Sequence, residues 1–396
     1  MKRSIVKNFG LLITASTLLL LSVSACRKGE KIEEIDSETV TTQDYNDYYS
    51  AYLNKIQYFA GIDRKTLSNM VCHPDQIPND SAIQDLINKI FPENNFEEFH
   101  HMKIVAEVAK KEGFEDRPMI KGIMDQVALD SLIRIYMQDK INERIKITDE
   151  QINQQCQELR KQFPREMQSV SIERCREIAE VRLRKMSQKT EEEKLVSDIK
   201  DGANFKRNQK FDRNEYLKNN MPIYLSIRKE GGCPVSEKDS AKSSGELMEE
   251  ITYNSQGAKI TTKDFEDYYV TFVEKAARFA NAEKSTLYRM ICNPDQIPND
   301  PMVRELIAKL DPQYNYEDFR MMRVIEMAAK NEDFDDKPHV RALIEQQKFD
   351  TVVRLYVQEK MDERIKISEE QKKQKCDELR RQFPKIGSLP IDNCLM

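Results

Sequence analysis

Apolar positions along this chain fall at helical spacing, and they do so twice over. From Gln43 to about Ala60 the aromatic residues Tyr45, Tyr48, Tyr49, Tyr52 and Phe59 lie mostly at i, i+3, i+4 and i+7, which predicts a helix with one aromatic face. Phe265, Tyr268, Tyr269, Phe272 and Phe279 repeat that face later in the chain. Two functions fit such a stripe: a core side, which the spacing favours, or a sticky groove for another polypeptide. Further helices are expected near Lys65 to Val71, from Asp80 to about Ile90, and from Phe96 to Gly113, where Phe99, Met102, Val105, Ala106 and Ala109 turn towards a core. Pro118 opens a long helix to about Arg144, with Ile120, Ile123, Met124, Val127, Leu132, Ile135 and Tyr136 as its apolar side. Thr148 and Gln151 form a capping box for the next helix, which stops at Phe163-Pro164. One more helix is expected from about Ser171 to Lys200.

Thr41 to Pro164 can be laid on Thr261 to Pro384 without a gap, and roughly 45 % of the positions are identical. The clearest block is Cys72 to Asp80, which returns from Cys292 to Asp300 with Asn293 in place of His73. The period is domain-sized, so two domains are expected: residues 37–208 and 251–396, joined by a linker over 209–250. Ile251-Thr252-Tyr253 and Ala258-Lys259-Ile260 predict a small hairpin leading into copy two. The Pro-rich block is either a binding loop or a rigid corner between helices, and its prolines and capping Asp80 favour the corner. Copy two stops at Cys394-Leu395-Met396, where the counterpart of the Ser171 to Lys200 helix would begin, so it is expected to lack its closing helix and to leave an apolar groove open.

Composition agrees with long, one-sided helices. Charged residues make up 33 % of the chain, Trp is absent, and the mean hydropathy is −0.70. The net charge of −5 is spread over both signs, which gives no basic footprint for nucleic acid. The first residues differ in kind. Lys2, Arg3 and Lys7 precede an apolar run from Leu11 to Leu21, followed by Val23-Ser24-Ala25-Cys26. That order is a secretory signal over residues 1–25, and its last four residues resemble a lipobox. The resemblance implies that Cys26 becomes the first mature residue and carries lipid; the alternative is a plain secretory signal or an uncleaved anchor. Residues 26–36 are then a short stalk, and the body is tethered to a membrane of the bacterial cell envelope, facing the periplasm or the cell exterior.

Candidate catalytic chemistry is sparse. The four histidines, His73, His100, His101 and His339, have no histidine counterparts in the other copy, which argues against an acid/base or nucleophilic site built into the repeat. No Gly-rich phosphate loop and no Gly-x-Ser-x-Gly elbow is present. His73 beside Cys72 is not matched in copy two, and no Cys-x-x-Cys accompanies it, so no metal is expected there. Glu97, Glu98 and Asp116 suit a solvated face. No cofactor and no enzymatic activity are expected.

The cysteines carry more information. Cys156 and Cys175 are almost equidistant from the turn at Pro164, and Cys376 and Cys394 straddle Pro384 in the same way. An antiparallel hairpin would bring each pair level, which predicts Cys156–Cys175 and Cys376–Cys394 disulfides in an exported protein. Reduced core cysteines are the alternative, since a duplication would preserve those as well. Cys72, Cys233 and Cys292 remain, an odd number that leaves at least one free or intermolecular thiol.

Taken together, the motifs resemble the chaperone module of the SurA and trigger-factor superfamily, which PrsA-type foldases share. Val40 to Tyr45 and Ile260 to Phe265 match its strand and helix start, and Ala109-Lys110-Lys111-Glu112-Gly113-Phe114 matches a helix end. Pro118 and Pro338 open its long helices, Ile147 to Gln151 and Ile367 to Gln371 start the next, and the segment from Ser171 to Phe205 is similar to its closing helix. The resemblance implies a mainly α fold: two tandem SurA N-terminal-like domains with long antiparallel helices and minor β structure where each domain begins. Only Arg165 to Val170 occupy the place of the parvulin domain, so the isomerase activity is not carried over. The expected function is chaperone-like: binding unfolded or nascent exported proteins without nucleotide, attached to the membrane through Cys26, with a homodimer as a further use of the open groove. The alternative is a structural or adhesive surface lipoprotein built on the same module. An exposed Met- or aromatic-lined concavity favours the first, and polar faces throughout favour the second.

Overall fold

Helix starts follow the chemistry of their first residues. Thr41 and Thr261 each accept a hydrogen bond from the amide three residues on, and Asp44 and Asp264 reach back to accept from the threonine amides at 2.8 and 2.9 Å. Pro118 and Pro338 stand in the first turns of two 27-residue helices, where a missing N–H costs nothing. Thr148 with Gln151 and Ser368 with Gln371 close the same reciprocal cap at the helices that follow.

The computed structural model describes residues 29–35, 38–60, 64–72, 81–235, 245–280, 282–297, 300–365 and 368–382. Those residues are mainly helical, with two small antiparallel sheets. Copy one comprises β1 (Lys31–Ile35), β2 (Glu38–Thr41), α1 (Thr42–Lys55, continued by a π-turn to Ala60), α2 (Arg64–Cys72), α3 (Ser81–Asn88), α4 (Pro92–Lys111), α5 (Pro118–Arg144), α6 (Asp149–Gln162) and α7 (Ile172–Asp201). After β3 (Ala203–Arg207) and α8 (Pro222–Glu230), copy two repeats the plan. It runs through β4 (Leu247–Tyr253), β5 (Gln256–Thr261), α9 (Thr262–Phe279), α10 (Lys284–Cys292), α11 (Pro301–Lys309), α12 (Pro312–Asn331), α13 (Pro338–Arg364) and α14 (Glu369–Gln382).

The chain forms two compact units, and their limits are not those of the two copies. One unit holds the described residues up to Glu115 together with Glu345–Tyr356, a stretch of the long helix of copy two. The other holds Asp116–Ile344 and the described residues from Val357 onward. Each first domain half therefore packs against the long helix of the other copy.

In the first unit Val40, Tyr48 and Phe99 form a buried cluster, joined by Tyr45, Phe96, Met102 and Phe349. A second cluster of Tyr52, Ile56, Leu67, Ile87 and Ile90 ties α1 to α2 and α3. Phe114 meets Tyr356 edge-on, with ring centroids 5.3 Å apart. The aromatic stripe of α1 is thus largely a core face. Two of its hydroxyls are satisfied by backbone: Tyr45 donates to the Pro92 carbonyl at 2.8 Å and Tyr49 to that of Ile90 at 2.7 Å.

In the second unit α5 packs on α9 and α12 of copy two, and α7 lies along α5 and α12. Tyr136 meets Phe334 edge-on at 5.2 Å, the repeat counterpart of the Phe114–Tyr356 contact. Gln126 Nε2 donates to the Tyr268 carbonyl at 2.5 Å, and the Gly122 position lies against the Thr271 side chain, so the helices approach closely. Phe265, Tyr269 and Tyr316 are fully buried, and Tyr269 donates to the Leu310 carbonyl at 2.5 Å, as Tyr49 does to Ile90.

Several elements differ from the sequence expectation. Residues 26–36 are expected as a stalk, yet Lys31–Ile35 is a strand paired antiparallel with β2, from Ile35↔Glu38 to Lys31↔Thr41. The pairing satisfies backbone groups that a charge-based reading does not weigh. The 209–250 segment is not a plain linker: it holds a helical turn at Arg213–Glu215, a π-turn to Asn220, α8 and most of β4. The β4–β5 hairpin lies where expected, turning at Asn254, whose φ is +52°. β3 adds a third strand to it, Phe205 facing Ile251. At the base of that sheet Glu249, 2 % exposed, is held by Arg320 Nε at 2.8 Å and Arg213 at 3.8 Å, while Arg320 stacks on Phe205 and Arg213 on Tyr316.

The Pro-rich block of copy one, with Asp80, lies outside the described residues. In copy two Pro294–Gln296 is a 3-10 turn, and the Asp300 carboxylate accepts from Met302 N at 2.7 Å and Val303 N at 3.2 Å. With Pro301 at the first helical position, that block acts as a corner that starts α11.

Candidate functional site

The first unit carries a cleft of about 350 Å³. α1 supplies Tyr48, Tyr52 and Lys55, α4 supplies Glu98 and Met102, and the included stretch of α13 supplies Asp350, Val353 and Arg354. The 3.6-residue period places Tyr48, Tyr52 and Lys55 on one side of α1, and Glu98 and Met102 one turn apart on α4. Its wall is therefore aromatic and thioether, and charge sits at its rim. The Tyr48 hydroxyl lies 3.6 Å from Met102 Sδ, and the Tyr268–Met322 pair in copy two has the same contact at 3.3 Å.

Burial and neighbouring charge set the state of the two tyrosine hydroxyls. Burial pushes the Tyr48 hydroxyl far above the usual phenol range, and the charges of Asp350 and Glu98 push it further. Tyr52 is raised for the same reason, burial first and then Glu98, Asp85 and Asp350. Both phenols stay protonated at any physiological pH and offer a ring and an O–H, not a base. Lys55 and Asp350 are ion-paired beside them. Glu98, which the sequence assigns to a solvated face, lines this cleft and lies 3.7 Å from Lys89. The site can take an apolar side chain next to a polar group, since it has ring faces, a polarizable sulfur and a charged edge.

Further apolar side chains stand exposed on the helices. Ile104 and Val108 are neighbours one turn apart on α4; Ile172, Val181 and Met186 stand out on α7; and Val357 and Met361 lie one turn apart on α13, followed four residues on by Ile365 at its C-cap.

The sequence-predicted residues fall as follows. Cys26 lies outside the described residues. Cys156 and Cys175 are joined in a disulfide with Cα atoms 5.5 Å apart, and the bond lies in a buried cluster with Leu159, Met167 and Ala179 that clips α6 to α7. Cys376 is fully buried and disulfide-bonded, while Cys394 lies outside the described residues. Of the three leftover cysteines, Cys233 and Cys292 are joined, and Cys72 is an exposed thiol. Symmetry hid the second bridge: Cys292 has a repeat partner in Cys72, but its bonding partner comes from the unrepeated segment. Among the described residues no group of three His, Cys, Asp or Glu side chains is set to hold a metal ion. His100 stacks on Phe96 and is tilted against His101, and His73 lies outside the described residues.

Lys55, Asp350, Val353 and Arg354 are the site residues that sequence reasoning missed. The last three belong to the helix of the other copy, and nothing in the repeat says which copy each long helix serves. Among the described residues no helix is long and apolar enough to cross a membrane. The chain matches no known family model, no characterised protein and no solved structure.

Proposed function

We propose that this chain is a lipid-tethered, extracytoplasmic polypeptide-binding protein of chaperone type, using two SurA-like helical modules and no isomerase. The observation that carries the proposal is the concavity lined by Tyr48, Tyr52, Met102 and Val353, rimmed by Lys55, Asp350, Glu98 and Arg354. Methionine and aromatic rings adapt to many apolar side chains, which suits a client recognised by exposed hydrophobicity and not by sequence. The exposed Ile104 and Val108 on α4, in the same unit, extend the apolar surface a client segment would meet. The signal-like first residues and Cys26 support a membrane-surface location for such an activity, outside the nucleotide supply. A holdase needs none. The membrane contact is then the lipid on Cys26.

A structural or adhesive lipoprotein is the second reading, favoured by outer faces laced with local ion pairs such as Arg174–Glu177 and Arg184–Glu180 on α7. One experiment separates the two. The mature body without lipid is mixed with an unfolded outer-membrane-type protein, and light scattering follows aggregation. Suppression at near-stoichiometric ratio, weakened by Met102→Glu, is expected. An unchanged aggregation rate would leave the adhesive reading.

A further inference from the structure

The last turns of α5 and α13 are near copies: Ile141-Asn142-Glu143-Arg144-Ile145 in the first and Met361-Asp362-Glu363-Arg364-Ile365 in the second. Their surroundings differ. In copy one Ile141 and Ile145 are 3 % and 9 % exposed. α7 lies along this stretch of α5. Gln188 Nε2 donates to Gln138 Oε1 at 3.1 Å, and Arg144 pairs with Asp198 at 2.7 Å. On the same stretch α7 buries Leu195, between those two ties, and Ile199, directly after the second, at 3 % and 4 %. In copy two Met361 and Ile365 are 51 % and 55 % exposed, Val357 is 38 % exposed, and Arg364 is exposed beside them. No helix among the described residues takes the place that α7 has in copy one.

We propose that the face of Val357, Met361 and Ile365, with Arg364 at its edge, is a docking site for one amphipathic helix of a partner polypeptide. The partner helix carries two apolar residues at i and i+4 and an acidic residue directly before the second, as Leu195, Asp198 and Ile199 do. The molecule supplies the template itself. The equivalent surface of copy one, apolar at the same positions and with the same arginine, lies under a helix of that chemistry, which gives the geometry of the cover. Stripes at i, i+4 and i+8 are read by a helix laid alongside, and the arginine fixes its register through a carboxylate. This goes beyond holding unfolded chains, because it asks for a folded helix with a defined charge. A second copy of this chain is the competing occupant: its α7 is already seated on α5 and clipped by Cys156–Cys175, so exchange would uncover as much apolar surface as it covers.

The test uses the full mature chain without lipid and a fluorescent peptide spanning residues 183–202, stapled on its polar face to hold it helical. Fluorescence anisotropy should show saturable binding. Met361→Glu, an exposed position that leaves the fold intact, should weaken it by about tenfold or more. Arg364→Glu should weaken it similarly, and a peptide with Asp198→Arg should recover most of that loss on the Arg364→Glu chain. That charge-swap rescue moves only if the arginine contacts the acid directly. Absence of saturable binding, or binding indifferent to Met361→Glu, would overturn the proposal. So would a homodimer in sedimentation that Met361→Glu dissociates, which would give the face to a second copy.

Discussion

Asp350, on the long helix of copy two, is ion-paired with Lys55, on the first helix of copy one. The repeat maps this pair onto Asp130 and Lys275, which are also joined, at 2.6 Å. Each long helix thus offers its aspartate to the other copy. Lys275 is 15 % exposed and Asp130 44 %, so the pair is only half shielded from water. A double-mutant cycle of Asp130→Lys and Lys275→Asp in urea unfolding should give a coupling of about 1 kcal/mol, with the charge-swapped double variant recovering most of the loss. Additive losses would mean that the two side chains do not sense each other.

The exchange predicts that a single copy is incomplete. A chain ending after Pro234 lacks Glu345–Tyr356, and with it Phe349 beside Tyr48 and Tyr356 beside Phe114. It should unfold without a sharp transition, or else dimerise to regain the contacts. Near-ultraviolet circular dichroism of its tyrosines, with sedimentation, checks this. A cooperative monomer would show that α5 can fold back on α1 and α4 of its own copy.

That outcome bears on what the sequence could tell. Helix limits were legible because they depend on local chemistry: Pro118, Pro338, Thr148 and Ser368 mark them in the chain. The aromatic stripe of α1 was legible as a core face for the same reason. The exchange was not. Tyr136 and Tyr356, like Phe114 and Phe334, are repeat equivalents, so either pairing of copies satisfies the same apolar pattern. The cleft inherits that ambiguity, since Val353 and Asp350 reach it only through the exchange. β1 was missed because three of the five residues of Lys31-Ile32-Glu33-Glu34-Ile35 are charged, and a strand that short is decided by its partner.

The hairpin bridge has a measurable weight. Cys156 and Cys175 are 19 residues apart in sequence, and closing a loop of that size restricts the unfolded chain by on the order of 3 kcal/mol. Replacing both by serine should lower stability by about that much, and dithiothreitol, which opens the Cys233–Cys292 bridge in both proteins, should lower the wild type by about this increment more than the double variant. Equal stability of the two in guanidinium unfolding would assign the cysteines a packing role alone.

Gly231 is expected to tolerate no side chain. A Cβ there would run into the Tyr288 carbonyl and the Cys292 sulfur, where α8 crosses α10 beside the Cys233–Cys292 bridge. The obstacle is backbone, which cannot swing aside. Gly231→Ala should cost about 1–3 kcal/mol, while Gly232→Ala, whose Cβ would meet open space but whose φ is +82°, should cost nearer 1. Thermal unfolding of both variants separates crowding from backbone strain.

The last expectation concerns acid. Glu274 on α9 is 7 % exposed, accepts from Arg278 Nε at 2.7 Å, and is paired with Lys284. Burial by itself would raise its carboxyl, but Lys284 and Arg278 together outweigh that and hold it below the usual carboxylate range. A depressed folded value means that the unfolded chain takes up the proton first as pH falls. The stabilisation is therefore complete above the unfolded value of about 4.3 and is lost as pH drops through the lower, folded one. Glu274→Gln should cost about 2 kcal/mol at pH 7, because it leaves two cations without their carboxylate. The gap between wild type and variant should shrink steadily below about pH 4.3. Urea unfolding at pH 7, 5 and 3.5 measures it, and a gap that stays constant across that range would show that the carboxylate charge contributes nothing to holding α9 to the start of α10.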